Sequence, residues 1–491
     1  MDNGRHVLVI GGGLAGLSAG SYLLANGHPV TIVEHGEALG GVCTAWRRGD
    51  YELDGCIQWL TGGAFDPIYR ELEILPRVPL QTLQHFVTYR DVSSGTNVDI
   101  TADLDATARA LIELAPEDAD ELRRMMTAAD QLVHLRPPID PPPELATLRD
   151  QLGWLWELRH DLPSLVHFRK TLGVWSGEHL KSARLQRLFC RLFPESIPTL
   201  FMLLVIGYLK HGHLSRPLGG TASFRDALID TYRNRGGTVR LRSTVEEILV
   251  KDGRAHGVRL ANGEIIESDV VISTASMPET VLQLLQGRYG AEETRERVTR
   301  WKLFDPLVIV SLGVALPLRD MPHTLLLDGI EALDTGGHST DHVQVLTYND
   351  DPSLAPVGHT VVQLMAEANY EWWSSRGEYY EIEKEQLAAR VLDRVEAHLP
   401  GLRAAQRVSD VATPLTFWTR THSWRGAYEG WIPTKFGHVR KTLSGLSDFY
   451  MAGQWVEPGG GVPMALMSGR HVAQLICANE RESFRATPAA A

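Results

Sequence analysis

The chain has 491 residues, 44% of them hydrophobic, with a formal net charge of −12 and a pI near 5.9. That length exceeds one simple core and predicts two domains. The acidic balance argues against a nucleic-acid surface, which needs clustered Lys and Arg. Cys43, Cys56, Cys190 and Cys477 form no CxxC pair, so neither a disulfide framework nor a metal site is expected.

In chain order, Val7–Ile10 reads as a buried strand, Leu14–Asn26 as a helix stopped by Gly27, and Pro29–Glu34 as a second strand. This is a βαβ opening. Gly11, Gly13 and Gly16 fit G-x-G-x-x-G in the strand-to-helix context that the motif requires. The first glycine permits the tight turn, the second lets backbone approach a pyrophosphate, and the third lets helix and strand pack closely. Glu34 ends the second strand, where a carboxylate can bind ribose hydroxyls. A second glycine pair, Gly40-Gly41, opens a glycine-rich stretch running to Gly55. Backbone that must pass beside a long ligand favours FAD over NAD. A strand starting near His6 leaves no room for a signal peptide, so a cytoplasmic protein is expected.

From about 106 to 209 the pattern turns helical, interrupted by RPPIDPPP (Arg136–Pro143), which reads as a rigid linker inside a helical insertion. TLFMLLVIGYL (Thr199–Leu209) is too short to span a bilayer and reads as a core helix or an interfacial segment. Short strands return at Gly236, with hairpin turns at Asp252-Gly253 and Asn262-Gly263. LVIVSLGVAL, VQVLTY and TVVQLMA read as sheet, and EIEKEQLAARVLDRVEAHL as an amphipathic helix. The chain closes on MAGQWVEPGGGVPMALMSG, again strand, glycines and helix.

The expected fold class is α/β, α+β overall. A discontinuous Rossmann-like domain (1–104, 210–300 and 445–484) alternates with a substrate domain of mixed sheet and helical insertion (105–209 and 301–444). The tail, 485–491, is expected to be disordered.

EHGEALGG, GDYELDGCIQWL, TVEEILVKDGRAHGVRLANGEIIESDVVIST and YMAGQWVEPGGGVPMALMSGRHVA, in this order, resemble the phytoene desaturase and carotenoid isomerase family, related to retinol saturases and, more widely, to monoamine oxidases. The resemblance implies non-covalent FAD, with Gly11, Gly13 and Gly16 on the pyrophosphate, Glu34 on the ribose and Gly40 and Gly41 along the dinucleotide. It implies that the Val245 backbone meets adenine, and that Gly453, Gly461, Val462, Pro463 and Met464 embrace the pyrimidine end of the flavin. The second helix N-terminus would then favour negative charge developing at flavin N1 and O2. Two positions depart from the family pattern: Val42 stands where relatives have arginine, and Gln58 where many have histidine.

The activity implied is an FAD-dependent oxidoreductase acting on carbon–carbon bonds of a polyene or isoprenoid, by hydride transfer to flavin N5. Desaturation leads, followed by reduction or cis–trans isomerisation. A tailoring enzyme for a polyketide or other secondary metabolite, and a prenyl-binding carrier of the GDP-dissociation-inhibitor type, are the alternatives. Glu457, beside the glycine turn, is the expected proton acceptor; Gln58 and Trp455 are expected at the reacting centre. Phe201, Tyr208, Phe417 and Trp424 are expected to line an apolar substrate tunnel, and peripheral membrane contact is expected through Thr199–Leu209.

Overall fold

The computed structural model describes residues 4–433 and 439–488. Five parallel strands stand in the order 238–240, 30–33, 7–10, 270–273, 449–451. The central strands Val7–Ile10 and Val270–Ser273 are buried along their whole length, because helices and a second layer cover both faces of the sheet. The opening helix, Leu14–Ala25, packs on the terminal helix, Gly461–Asn479. Gly469 permits that contact: a Cβ there would come within 2.6 Å of Ala15 O and Ala19 N. Residues more than 400 positions apart thus share one core.

Val245–Lys251, Arg254–Leu260 and Ile265–Glu267 form a small antiparallel sheet. Its first turn has positive φ at both Asp252 and Gly253, the conformation an Asp-Gly hairpin demands.

The second large sheet has seven strands, in the order 406–412, 307–314, 360–367, 339–347, 324–334, 85–91, 96–101. The sequence places 1–104 as a block in the Rossmann-like domain, but the hairpin His85–Thr101 lies in this other sheet, with His85–Asp91 parallel to Thr324–Asp334. Tyr89 Oη donates to Asp328 at 2.6 Å across that junction, and Arg187 closes on the same carboxylate. The partner strand lies over 230 residues away, so no local pattern reveals which sheet the hairpin joins.

Thr199–Lys210 is a core helix, nine of its twelve residues buried, and it is not an interfacial segment. Gly207 lets it press against Ala119–Leu132, where a Cβ would come within 2.1 Å of Ala129 O. Arg136–Pro143 is a packed strap and not a linker: Arg470 Nη1 donates to Ile139 O at 3.2 Å, and Gln474 Nε2 to Asp140 Oδ1 at 3.1 Å. The start of the tail is anchored, with Arg485 N donating to Asn26 Oδ1 at 2.8 Å; residues 489–491 lie outside the described residues.

Candidate active site

A cleft lies at the carboxyl ends of the parallel strands, where doubly wound sheets bind ligands. Gly11 turns there with φ +96°, and a Cβ would lie 2.5 Å from Thr274 Oγ1. Gly16 sits behind the turn; a Cβ would lie 2.2 Å from Gly11 O. Gly13 lines the cleft, where a Cβ would meet nothing nearer than Gly41 Cα at 3.8 Å, so the space over the helix start is left open. No side chain caps Gly13, which leaves the first helical amides to a ligand. This arrangement fits a pyrophosphate.

Glu34 lines the same cleft. Gly12 N and Gly36 N each donate to its carboxylate at 2.7 Å, and His35 Nδ1 lies at 2.8 Å. Burial opposes ionisation of Glu34, but these donors outweigh it and hold the carboxyl below its usual value. Gly40, Gly41 and Val245 complete this end.

The opposite end is the second glycine turn. Gly459, Gly460 and Gly461 all have positive φ. At Gly460 a Cβ would clash with Glu429 O at 2.3 Å, so only glycine fits. Gly453, Gly461 and Val462 line the cleft, and the terminal helix begins there without a side-chain cap. Two uncapped helix N-termini therefore open on one cleft, where their dipoles favour a ligand carrying negative charge at both ends. Trp455 lines this cleft but not the larger cavity, and its ring packs edge-on against Trp431 at 5.2 Å.

The pairing of His422 with Glu279 on the cleft wall joins residues 143 positions apart and carries no sequence motif. His422 Nδ1 lies 2.9 Å from Glu279 Oε1, which raises the imidazole's pKa, and its ring sits 4.2 Å from that of His35. His422 ends the helix Pro414–Thr421, so this contact ties that helix to the cleft wall.

Beyond the cleft opens a cavity of about 1490 Å³. Its walls are mainly apolar, including Phe86, Leu192, Phe193, Phe201, Leu204 and Tyr208. Gln58, Pro463, Met464 and Glu457 also line it. Gln58 Oε1 accepts from Gln344 Nε2 at 3.2 Å, an amide pair where an imidazole would titrate. Phe417 and Trp424 are not among the lining residues. Phe417 packs edge-on against Tyr428 behind the wall, and Trp424 packs edge-on against Trp418. The helix Pro414–Thr421 turns Phe417 to the core, a choice that sequence spacing leaves open.

Glu457 lies near the glycine turn, but its carboxylate is engaged. Lys441 Nζ, fully buried, lies 2.5 Å from Glu457 Oε1, and His471 Nδ1 lies 3.5 Å from the same oxygen. Burial alone would raise this carboxyl; the hydrogen bond from His471 and the charge of Lys441 hold it below the usual carboxylate value. A carboxylate so stabilised is a weak base, contrary to the role expected from sequence. Six residues line both the cleft and the cavity: Cys56, Trp59, Tyr428, Glu429, Gly461 and Val462.

A glycine-turn cleft of this build, adjoining a mainly apolar chamber, fits a flavin-dependent oxidoreductase. The chain belongs to the flavin-containing amine oxidoreductase family, whose model matches residues 14–477. It is 26% identical to the phytoene desaturase (neurosporene-forming) of Rhodobacter capsulatus, over 96% of this chain and 94% of the relative. It is 24% identical to prolycopene isomerase 1, chloroplastic, of an Oncidium hybrid cultivar, over 96% and 84%. Among solved structures, an oxidoreductase from Methanosarcina mazei superposes with a TM-score of 0.67 at 18% identity, covering 96% of this chain and all of the other. Putrescine oxidase bound to putrescine superposes with a TM-score of 0.64 at 15% identity, over 96% and 99%.

Proposed function

We propose that the flavin is FAD, bound non-covalently, and that the enzyme acts on carbon–carbon bonds of a hydrophobic polyene of the carotenoid-precursor kind, with desaturation as the leading reaction. The observation that carries this reading is the 1490 Å³ apolar chamber joined to the nucleotide cleft through shared wall residues. A bound flavin supplies a two-electron acceptor at that junction; the protein's part is to align the chain and exclude water. The named relatives, a phytoene desaturase and a prolycopene isomerase, support the same substrate class. Gly11, Gly13, Glu34, Gly40, Gly41 and Val245 would hold the adenosine and pyrophosphate, with Gly16 packing beneath them, and Gly453, Gly461 and Val462 the flavin's pyrimidine end. Phe201 and Tyr208 would line the substrate path. The hairpin His85–Thr101 would belong to the substrate domain. The test is an anaerobic visible spectrum of the purified protein with acyclic carotenoid precursors, phytoene first. Bleaching of the flavin bands is the expected result; unbleached flavin across the panel would send the search to reduction or isomerisation.

Substrates of this kind partition into bilayers, and the surface around 148–168 suits a bilayer. The helix Leu148–Glu157 has no buried residue. Leu148 is 72% exposed, Leu155 65%, Trp156 67% and, on the next helix, Val166 60%. Trp154, Leu158 and Leu165 from the same segment line the chamber. Asp161 is held by His134 at 2.9 Å; Arg149, Arg159 and Arg169 are exposed beside the apolar face, interspersed with Asp150 and exposed Glu157. This apolar face favours a membrane surface. In a flotation assay, the double substitution Leu155→Glu/Trp156→Glu is expected to release the protein from vesicles with its flavin retained. Equal flotation of variant and parent would remove this surface from consideration. Leu204→Glu, on the buried helix, is expected to impair substrate binding and leave flotation unchanged.

A further inference from the structure

We propose that Glu429 is the catalytic base of this site, accepting the substrate proton while the hydride leaves to the flavin; the role rests on the desaturation reading. Among the six residues that line both cleft and chamber, Glu429 is the one carboxylate. It stands against the flavin-side turn, where a Cβ on Gly460 would lie 2.8 Å from Glu429 Cβ. Its segment is braced on both sides: Tyr428 Oη donates to Cys56 O at 2.7 Å, and Phe304 N donates to Gly430 O at 3.0 Å. Among the described residues no hydrogen bond or ion pair engages the Glu429 carboxylate.

The other carboxylates of the chamber are less suited. Glu457 is held by Lys441, Glu71 by Arg470 at 2.9 Å, and Glu367 by His338 at 3.3 Å. Asp140 is engaged by Gln474 at 3.1 Å and Arg470 at 3.4 Å, and Glu157 and Asp305 line the chamber but not the cleft.

The step balances as follows. One substrate carbon loses a hydride to oxidised flavin, and its neighbour loses a proton to a Glu429 oxygen. Two C–H bonds break and one C=C bond forms. Two electrons and one proton reside on the flavin, and one proton on the carboxyl. A single turnover needs no other oxidant.

Burial raises the Glu429 carboxyl to about 7, against an ordinary value of 4.5. Among the described residues, the ionisable groups nearest it on these walls are the Tyr428 phenol and the Cys56 thiol, with the Glu457–Lys441–His471 group beyond the glycine turn and Glu279 with His422 on the cleft wall. A carboxyl poised near neutrality suits proton abstraction. It also makes a prediction independent of activity. The folded state holds this proton between the ordinary and the raised value, so this group's contribution to stability is fully present below pH 4.5 and is lost as pH rises to about 7.

The test compares the parent with Glu429→Gln and Glu429→Asp. In chemical unfolding across that pH window, the parent is expected to lose stability relative to Glu429→Gln as pH rises; parallel curves would overturn the proposal. In anaerobic single turnover with phytoene in detergent, the parent rate is expected to climb through neutral pH. Glu429→Gln is expected to be slower by about 100-fold or more, with that climb abolished, and Glu429→Asp to restore part of both. Flavin bleaching by Glu429→Gln at the parent rate overturns the role of Glu429 and leaves desaturation standing. No bleaching in the parent overturns the desaturation reading, and this role with it.

Discussion

Gly16→Val is expected to yield a protein purified almost without flavin. A Cβ at Gly16 would lie 2.2 Å from Gly11 O and 3.2 Å from Val9 Cγ1. The first of these is backbone, so no rotamer change relieves the clash; the opening helix must move away from the strand. Its uncapped amides at Gly13 and beyond then leave the position that suits a pyrophosphate. Overpacking of this kind costs about 1–3 kcal/mol of stability. A similar loss of binding energy, at about 1.4 kcal/mol per decade, lowers affinity by roughly 5- to 150-fold. The ratio of flavin to protein absorbance after purification measures the outcome, and circular dichroism checks that the chain is folded. A folded variant with full flavin content would show that this crossing tolerates a side chain and does not set the pyrophosphate site.

Lys441→Met is expected to be the most destabilising single change near the second turn. Lys441 is fully buried and Glu457 is 9% exposed, so removing the cation strands a carboxylate with His471 alone at 3.5 Å. Breaking a buried pair from one side costs about 3–5 kcal/mol. The pH dependence has a definite sign. In the parent the Glu457 carboxyl sits below its ordinary value, so its stabilising contribution is present above that value and is lost as pH falls through the folded one. Without Lys441 the carboxyl shifts upward, and acid destabilisation begins at higher pH. Lys441→Met/Glu457→Gln, which removes the stranded charge, is expected to recover part of the loss; recovery stays incomplete because Lys441 Nζ also lies 3.5 Å from Glu144. Urea unfolding at neutral and mildly acidic pH measures all three proteins. A double variant no better than the single one would assign the loss to packing.

These two sites differ in how far the sequence reveals them. The Gly11–Gly16 turn lies within one window, and its function follows from what glycine permits at each step. The same holds for the Asp252-Gly253 hairpin and for Gly459–Gly461. The Lys441–Glu457–His471 group draws on the strand approach, the turn and the helix interior, and His471 is recognisable only once the helix is seated. Glu457 illustrates the consequence: its place beside the turn suggests a base, and a lysine sixteen residues earlier quenches it. Glu429 shows the converse, in a segment with no motif.

The sequence by itself determined the βαβ opening, both glycine turns, the helical insertion, the hairpins and the flavoprotein family, because each depends on backbone preferences within some thirty residues or on motifs in a fixed order. The tertiary structure alone decided that His85–Thr101 joins the second sheet, that Arg136–Pro143 straps the terminal helix, that Phe417 and Trp424 face away from the chamber, and that Glu429 stands where cleft and chamber meet. The reason is physical. A residue's conformational preference acts on its neighbours in the chain, whereas burial, charge pairing and access to a cavity are set by groups that sequence separates by hundreds of positions and packing brings within a few ångströms.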